Sequence, residues 1–90
     1  MDDVSNYFDR IAQLAKAERI RQYFLHFQDT AQYYQPKFGY VIASEEHGEV
    51  AKAILEKKPK DIFKESIQVI AVYFAMLEGM LERGEVQIDV

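Results

Sequence analysis

Apolar residues recur along the first third of the chain at helical spacing: Phe8, Ile11, Leu14 and Ala15, then Ile20, Phe24, Phe27 and Ala31. Positions three and four apart share one face of a helix, so an amphipathic helix is expected from Val4 to about Gln35. Ser5 can accept hydrogen bonds from the open amide groups of a helix start, and Asp2 or Asp3 serves equally well. A helix of this length exceeds the usual globular span, which leaves room for a break between Lys16 and Arg21 or near Asp29-Thr30. Pro36 donates no backbone hydrogen bond and restrains Gln35 away from helical geometry, so the first helical region is expected to stop there.

The pattern resumes from about Phe38 to Lys57, with Val41, Ile42, Val50, Ala53 and Ile54 as apolar positions and Glu45, Glu46 and Glu49 interrupting them. Pro59 suits the first turn of a following helix, where its missing N–H has no partner to lose. The third helix, about Lys60 to Arg83, is apolar on nearly every side from Ile67 to Leu81, and a helix apolar all round is buried all round. Gly84 has the character of a helix end, and Glu85 to Val90 alternates in the manner of a strand. The expected fold is all-α: a helical bundle with a central antiparallel helical hairpin, about residues 38–83, completed by oligomerisation.

Ninety residues make one domain, residues 1–90, with no repeat or flexible linker. A chain this short buries only about 60% of the surface its unfolded form exposes, so a partner subunit is a common source of further core. Ile67 to Leu81 presents more apolar faces than one such bundle can cover, and a dimer or tetramer is expected. The absence of cysteine excludes disulfides and thiolate metal sites, which fits a reducing cytoplasm and leaves oxygen or imidazole as metal ligands. The acidic amino terminus lacks the basic and apolar segments of a secretory signal. No run approaches the roughly 18 apolar residues that span a bilayer. A soluble, cytoplasmic protein with no membrane partner is the expectation. The net charge of −4 argues against DNA or RNA as partners, because sequence-independent affinity comes from basic side chains on phosphates. The acids concentrate in the second half: residues 39–90 carry ten acidic and six basic side chains.

The segment Glu45-Glu46-His47-Gly48-Glu49 is followed, fifteen residues later, by Glu65-Ser66-Ile67-Gln68. Glu46 and Glu49, three apart, project from one helical face, and Glu65 and Gln68 repeat that spacing. If the chain reverses near Lys58, the two pairs differ in height by only about 4.5 Å at 1.5 Å of rise per residue. They can therefore face each other. Like charges on one face repel, and burying them unpaired costs far more, so a neutralising group is expected. Magnesium, a hard cation that takes carboxylates, water and substrate phosphates, is the natural candidate, with manganese as an alternative. A metal so held polarises a phosphoryl oxygen and activates a bound water for attack on a phosphoanhydride.

This paired arrangement, Glu45-Glu46-x-x-Glu49 and then Glu65-x-x-Gln68, resembles the motif of the MazG-like branch of the all-alpha nucleoside triphosphate pyrophosphohydrolases. The likeness runs from about Gly39 to Leu81, whereas residues 1–35 match only in being helical. It implies a multi-subunit helical bundle that cleaves a nucleoside triphosphate to the monophosphate and pyrophosphate with magnesium. It further implies metal ligands at Glu46, Glu49 and Glu65, with Glu45 an additional acid of the catalytic site. Gln68 departs from the motif, which has aspartate there; its carbonyl can still bind a metal, but without charge. Asp61, on the face of Glu65, is a candidate for the lost charge.

Lys52 and Lys64 lie within a turn of these acids and are candidate phosphate contacts, while Lys57, Lys58 and Lys60 fit ordinary loop charge. Tyr33, Tyr34, Phe38 and Tyr40 suit core or interface packing, with base stacking as the functional alternative. His47 lacks the Glu-x-x-His spacing of a metal pair and suits solvent or a polar contact, and His26, among Phe24, Leu25 and Phe27, suits packing or capping rather than a metal. Two readings remain open: a magnesium-dependent pyrophosphohydrolase, and a non-catalytic helical assembly or nucleotide-binding module in which Gln68 has weakened the site.

Overall fold

The computed structural model describes residues 2–25 and 36–88, and all its regular structure is helical. Helix α1 is Asp2–Leu25, α2 is Pro36–Leu55 and α3 is Pro59–Glu82. Helix α1 runs unbroken through Lys16–Arg21, a stretch rich in the strong helix formers alanine, lysine, glutamate and arginine. It begins at Asp2, so Ser5 lies inside the helix rather than capping it. Residues 26–35, and with them Phe27, Ala31, His26, Tyr33, Tyr34 and a break at Asp29-Thr30, lie outside the described residues.

Pro36 opens α2, where the fixed φ of proline and its missing N–H suit a first turn. The α2–α3 connection is short because α2 ends in a Schellman motif: Lys58 N–H bonds to Ala53 O at 3.0 Å and Lys57 N–H to Ile54 O at 3.1 Å. That motif needs a left-handed residue, and Lys57 supplies it at φ 55°. Pro59 then starts α3 with Lys58 as its cap residue. Helix α3 ends in the same way, with Gly84 at φ 71° and bonds from Glu85 N–H to Met80 O and from Gly84 N–H to Leu81 O. Residues 86–88 form no strand, so the alternating pattern after Gly84 does not signal one: no second strand is present among the described residues to pair with it.

Helix α3 packs against both α1 and α2. Its Ile67, Val69, Ala71, Val72, Ala75, Met76 and Gly79 are buried, but burial is not all round as expected: Ile70, Tyr73 and Phe74 are half-buried and Leu77 and Leu81 are exposed. On α2, Ala43 is buried with Val72 and Met76, flanked by Ile42 and Tyr73. Much of the core is alanine, at positions 15, 43, 53, 71 and 75, and Val72 is the largest fully buried side chain. Small residues let the helices approach closely but bury little apolar area.

Helix α1 departs from its expected orientation. It buries Ala15, Arg19 and Gln22, and leaves Phe8, Ile11, Leu14, Ile20 and Phe24 exposed. Arg19 Nε donates to Glu78 Oε2 at 2.7 Å, which neutralises the guanidinium brought into this contact. The large apolar stripe thus faces outward. No helix among the described residues is long and apolar enough to cross a membrane.

Candidate active site

The packing of Ala43 against Val72 and Met76 fixes the register of α2 on α3 one turn away from the acidic segment. In that register Glu46 of α2 meets Glu65 and Gln68 of α3. A glutamine placed between two acceptors must present its nitrogen. In that orientation Gln68 Nε2 donates to Glu46 Oε2 at 2.9 Å and to Glu65 Oε2 at 2.8 Å. One amide therefore ties together the two glutamate-bearing helices.

The electrostatics follow from this enclosure. Burial pushes the Glu46 carboxyl above its ordinary value, and the nearby Glu65, in Coulombic and hydrogen-bonding contact, pushes it further, with smaller contributions from Glu49 and Glu18. Glu18 moves the opposite way: its bond from Arg21 holds it down against the effect of burial, helped by Gln22 and the charge of Lys64. Arg21 grips Glu18 at both oxygens, Nε to Oε2 at 2.8 Å and Nη2 to Oε1 at 2.6 Å. This pair on α1 was not legible as part of the site from sequence. The signal that could have found it is the spacing Leu14, Ala17, Glu18, Arg21, which sets polar and apolar groups together on one face.

The other expected site residues are distributed around this pair. Glu45 and Glu49 lie on α2 at its solvent side, with Glu49 one turn beyond Glu46. Lys52 is exposed in the last turn of α2. Lys64 lines a cleft with Gln68 and Glu18. Asp61 sits with Lys58, Pro59 and Lys60 at the α2–α3 turn. His47 rests edge-on to Tyr73 with ring centroids 6.2 Å apart. Phe38 and Tyr40 are exposed.

Among the described residues, no three acidic or imidazole side chains converge as a metal-ligand group. Two carboxylate oxygens nonetheless lie within 2.9 Å of one nitrogen, a point at which a positive group is favoured. Rotation of the Gln68 amide by half a turn would present its carbonyl to the same space. Such a set of two carboxylates and one carbonyl suits a single magnesium ion, which commonly takes one or two protein carboxylates and completes its shell with water and phosphate oxygens. It does not suit a cluster of several cations. No family model matches this chain, and neither does any curated protein or solved structure.

Proposed function

We propose that the chain is a nucleoside triphosphate pyrophosphohydrolase that uses magnesium to release pyrophosphate and leave a nucleoside monophosphate. The observation that carries this reading is the meeting of Glu46 with Glu65 and Gln68 across α2 and α3. Helical spacing in the sequence singles out the pairs Glu46/Glu49 and Glu65/Gln68, which include these three positions, while Glu49 is exposed one turn away. Glu46 and Glu65 hold the cation, with the Gln68 carbonyl as a neutral third ligand. When bound, the metal offsets charge on the phosphates and favours ionisation of water. Glu45 and Glu49, on the solvent side, form an acidic rim that can hold a water and accept its proton. Lys52 and Lys64 attract the phosphates.

Self-association as a dimer or tetramer belongs to this reading. Exposed Phe8, Ile11 and Phe24 on α1, with Val41, Ile54 and Leu55 on α2, present more large apolar side chains than the alanine-rich core contains. An α2–α3 antiparallel hairpin at the centre of that assembly would keep the carboxylate pairs together.

A second reading, a non-catalytic assembly or nucleotide-binding module, draws on the Gln68 amide. It satisfies both carboxylates with no cation at all. A screen of ribo- and deoxyribonucleoside triphosphates with magnesium, detecting pyrophosphate and monophosphate, separates the two. Stoichiometric release of both products supports the hydrolase; release of orthophosphate alone, or no turnover, removes it.

A further inference from the structure

Between α1 and α3 lies a cleft of about 520 Å³ whose walls differ in character. Leu14 and Phe63 contribute apolar surface, and Glu18, Arg21, Lys64 and Gln68 contribute polar groups. The two apolar side chains are unusual for a lining: Phe63 is 50% exposed and Leu14 48%, so each presents a bare flank to the space. Gln68 belongs both to this cleft and to the carboxylate pair, since its amide donates to Glu46 and Glu65. Gln68 thus borders both the cleft and the acidic site.

We propose that this cleft seats the nucleoside of the substrate, with the first helix as its specificity wall. The inference rests on the pyrophosphohydrolase reading and extends it to α1, a helix to which the sequence pattern gives no chemical role. The base lies against Phe63 and Leu14, because a planar apolar ring loses unfavourable contact with water there and every base has a π-face to offer. The phosphates run along α3 from Lys64 toward Gln68, one helical turn apart, and so reach the carboxylate pair. Glu18, partly buried in the wall, accepts two bonds from Arg21, which places a half-exposed guanidinium beside the cleft. Arg21 is paired with Glu18, so Lys64, together with the magnesium of the proposed site, is the positive charge that meets the polyphosphate. The volume falls within the range of sites that enclose small ligands.

The test uses the full chain and two probes, an α,β-methylene triphosphate with magnesium and the corresponding nucleoside without phosphates, with binding measured by calorimetry. Phe63→Ala should weaken both probes tenfold or more. Lys64→Ala should weaken the triphosphate at least fivefold and leave the nucleoside unchanged. Val86→Ala, at an exposed position beyond the end of α3 and away from the cleft, should change neither. Melting curves on each variant confirm a folded protein, and Phe63→Leu, which keeps apolar bulk but loses the ring, gives an intermediate loss. Equal binding by wild type, Phe63→Ala and Lys64→Ala overturns the proposal, as does failure of the wild type to bind the triphosphate. The hydrolase reading is separated by turnover: hydrolysis with unaltered KM in both variants keeps the enzyme and overturns the cleft. The stated binding pattern without turnover keeps the cleft and rejects the enzyme.

Discussion

Replacement of Gln68 by aspartate probes the site directly, because it removes a double donor and adds a charge at the same point. Two amide bonds to carboxylates, at 2.8 and 2.9 Å, are lost. A hydrogen bond to a charged group contributes about 1.5–3 kcal/mol, and the half-buried setting places each near the lower end, about 3 kcal/mol in all. A third carboxylate beside Glu46 and Glu65 adds repulsion of roughly 1–2 kcal/mol, limited because one of the three will take up a proton at about 1.4 kcal/mol per pKa unit. Gln68→Asp without metal should therefore be less stable by about 4–5 kcal/mol, which lowers Tm by at least about 16 °C for a domain of this size. Magnesium at a hundred times its Kd returns about 2.7 kcal/mol. The assay is thermal melting of wild type, Gln68→Asp and Gln68→Leu, each with and without millimolar magnesium. Gln68→Leu loses the bonds and gains no charge, so magnesium should rescue it no more than it stabilises wild type. A Gln68→Asp variant that melts like wild type refutes the amide tie. A loss that magnesium does not restore refutes the metal site.

Three further outcomes follow from named features. Glu46 is held above its ordinary value of 4.5 in the folded state, so its ionisation weakens the fold as pH rises through that raised value; Glu18, held below 4.5, contributes stability that is lost as pH falls through its lowered value. Urea unfolding of the metal-free protein should show stability rising as pH drops from neutrality toward 4.5, and Glu46→Gln should flatten that limb. Lys57→Gly relieves a left-handed residue that carries a Cβ and should raise stability by about 0.5–1 kcal/mol, read as the urea midpoint. Sedimentation at micromolar concentration should give a dimer or tetramer, and Phe8→Glu with Phe24→Glu should shift it toward monomer; a wild-type monomer removes the assembly part of the reading.

The helices were legible because their punctuation is chemical. Pro36, Pro59 and Gly84 each sit where the backbone geometry they permit is used: Pro36 and Pro59 open helices and Gly84 closes one, while the end expected before Pro36 lies outside the described residues. The encounter of Glu46 with Glu65 and Gln68 was legible from rise per residue alone, since the short connection between Leu55 and Pro59 leaves little freedom in register. The packing of α1 was not. Periodicity put Phe8, Ile11, Leu14, Ala15, Ile20 and Phe24 in one amphipathic pattern, and of these the chain buries only Ala15, together with the polar Arg19 and Gln22. Hydrophobic spacing shows that a stripe needs cover without saying whether the cover comes from the same chain. Arg19 enters the interior only because Glu78, far along the chain, meets it, and no local pattern encodes such a pair. Glu18 and Arg21 were hidden for the same reason: their part in the site comes from α3 across the cleft, not from their neighbours in sequence.

The proposed function requires that Glu46 and Glu65, joined across two helices, hold magnesium for cleavage of a triphosphate. The most direct measurement is pyrophosphate release from a nucleotide panel by wild type, Glu65→Gln and Gln68→Asp in parallel, with magnesium and with chelator. The expected result is magnesium-dependent release by wild type, a loss of at least about a hundredfold in Glu65→Gln, as removal of a group that stabilises the transition state by roughly 3 kcal/mol gives, and equal or greater release by Gln68→Asp. Turnover that persists unchanged in Glu65→Gln or in chelator, or no release by any of the three, would contradict it.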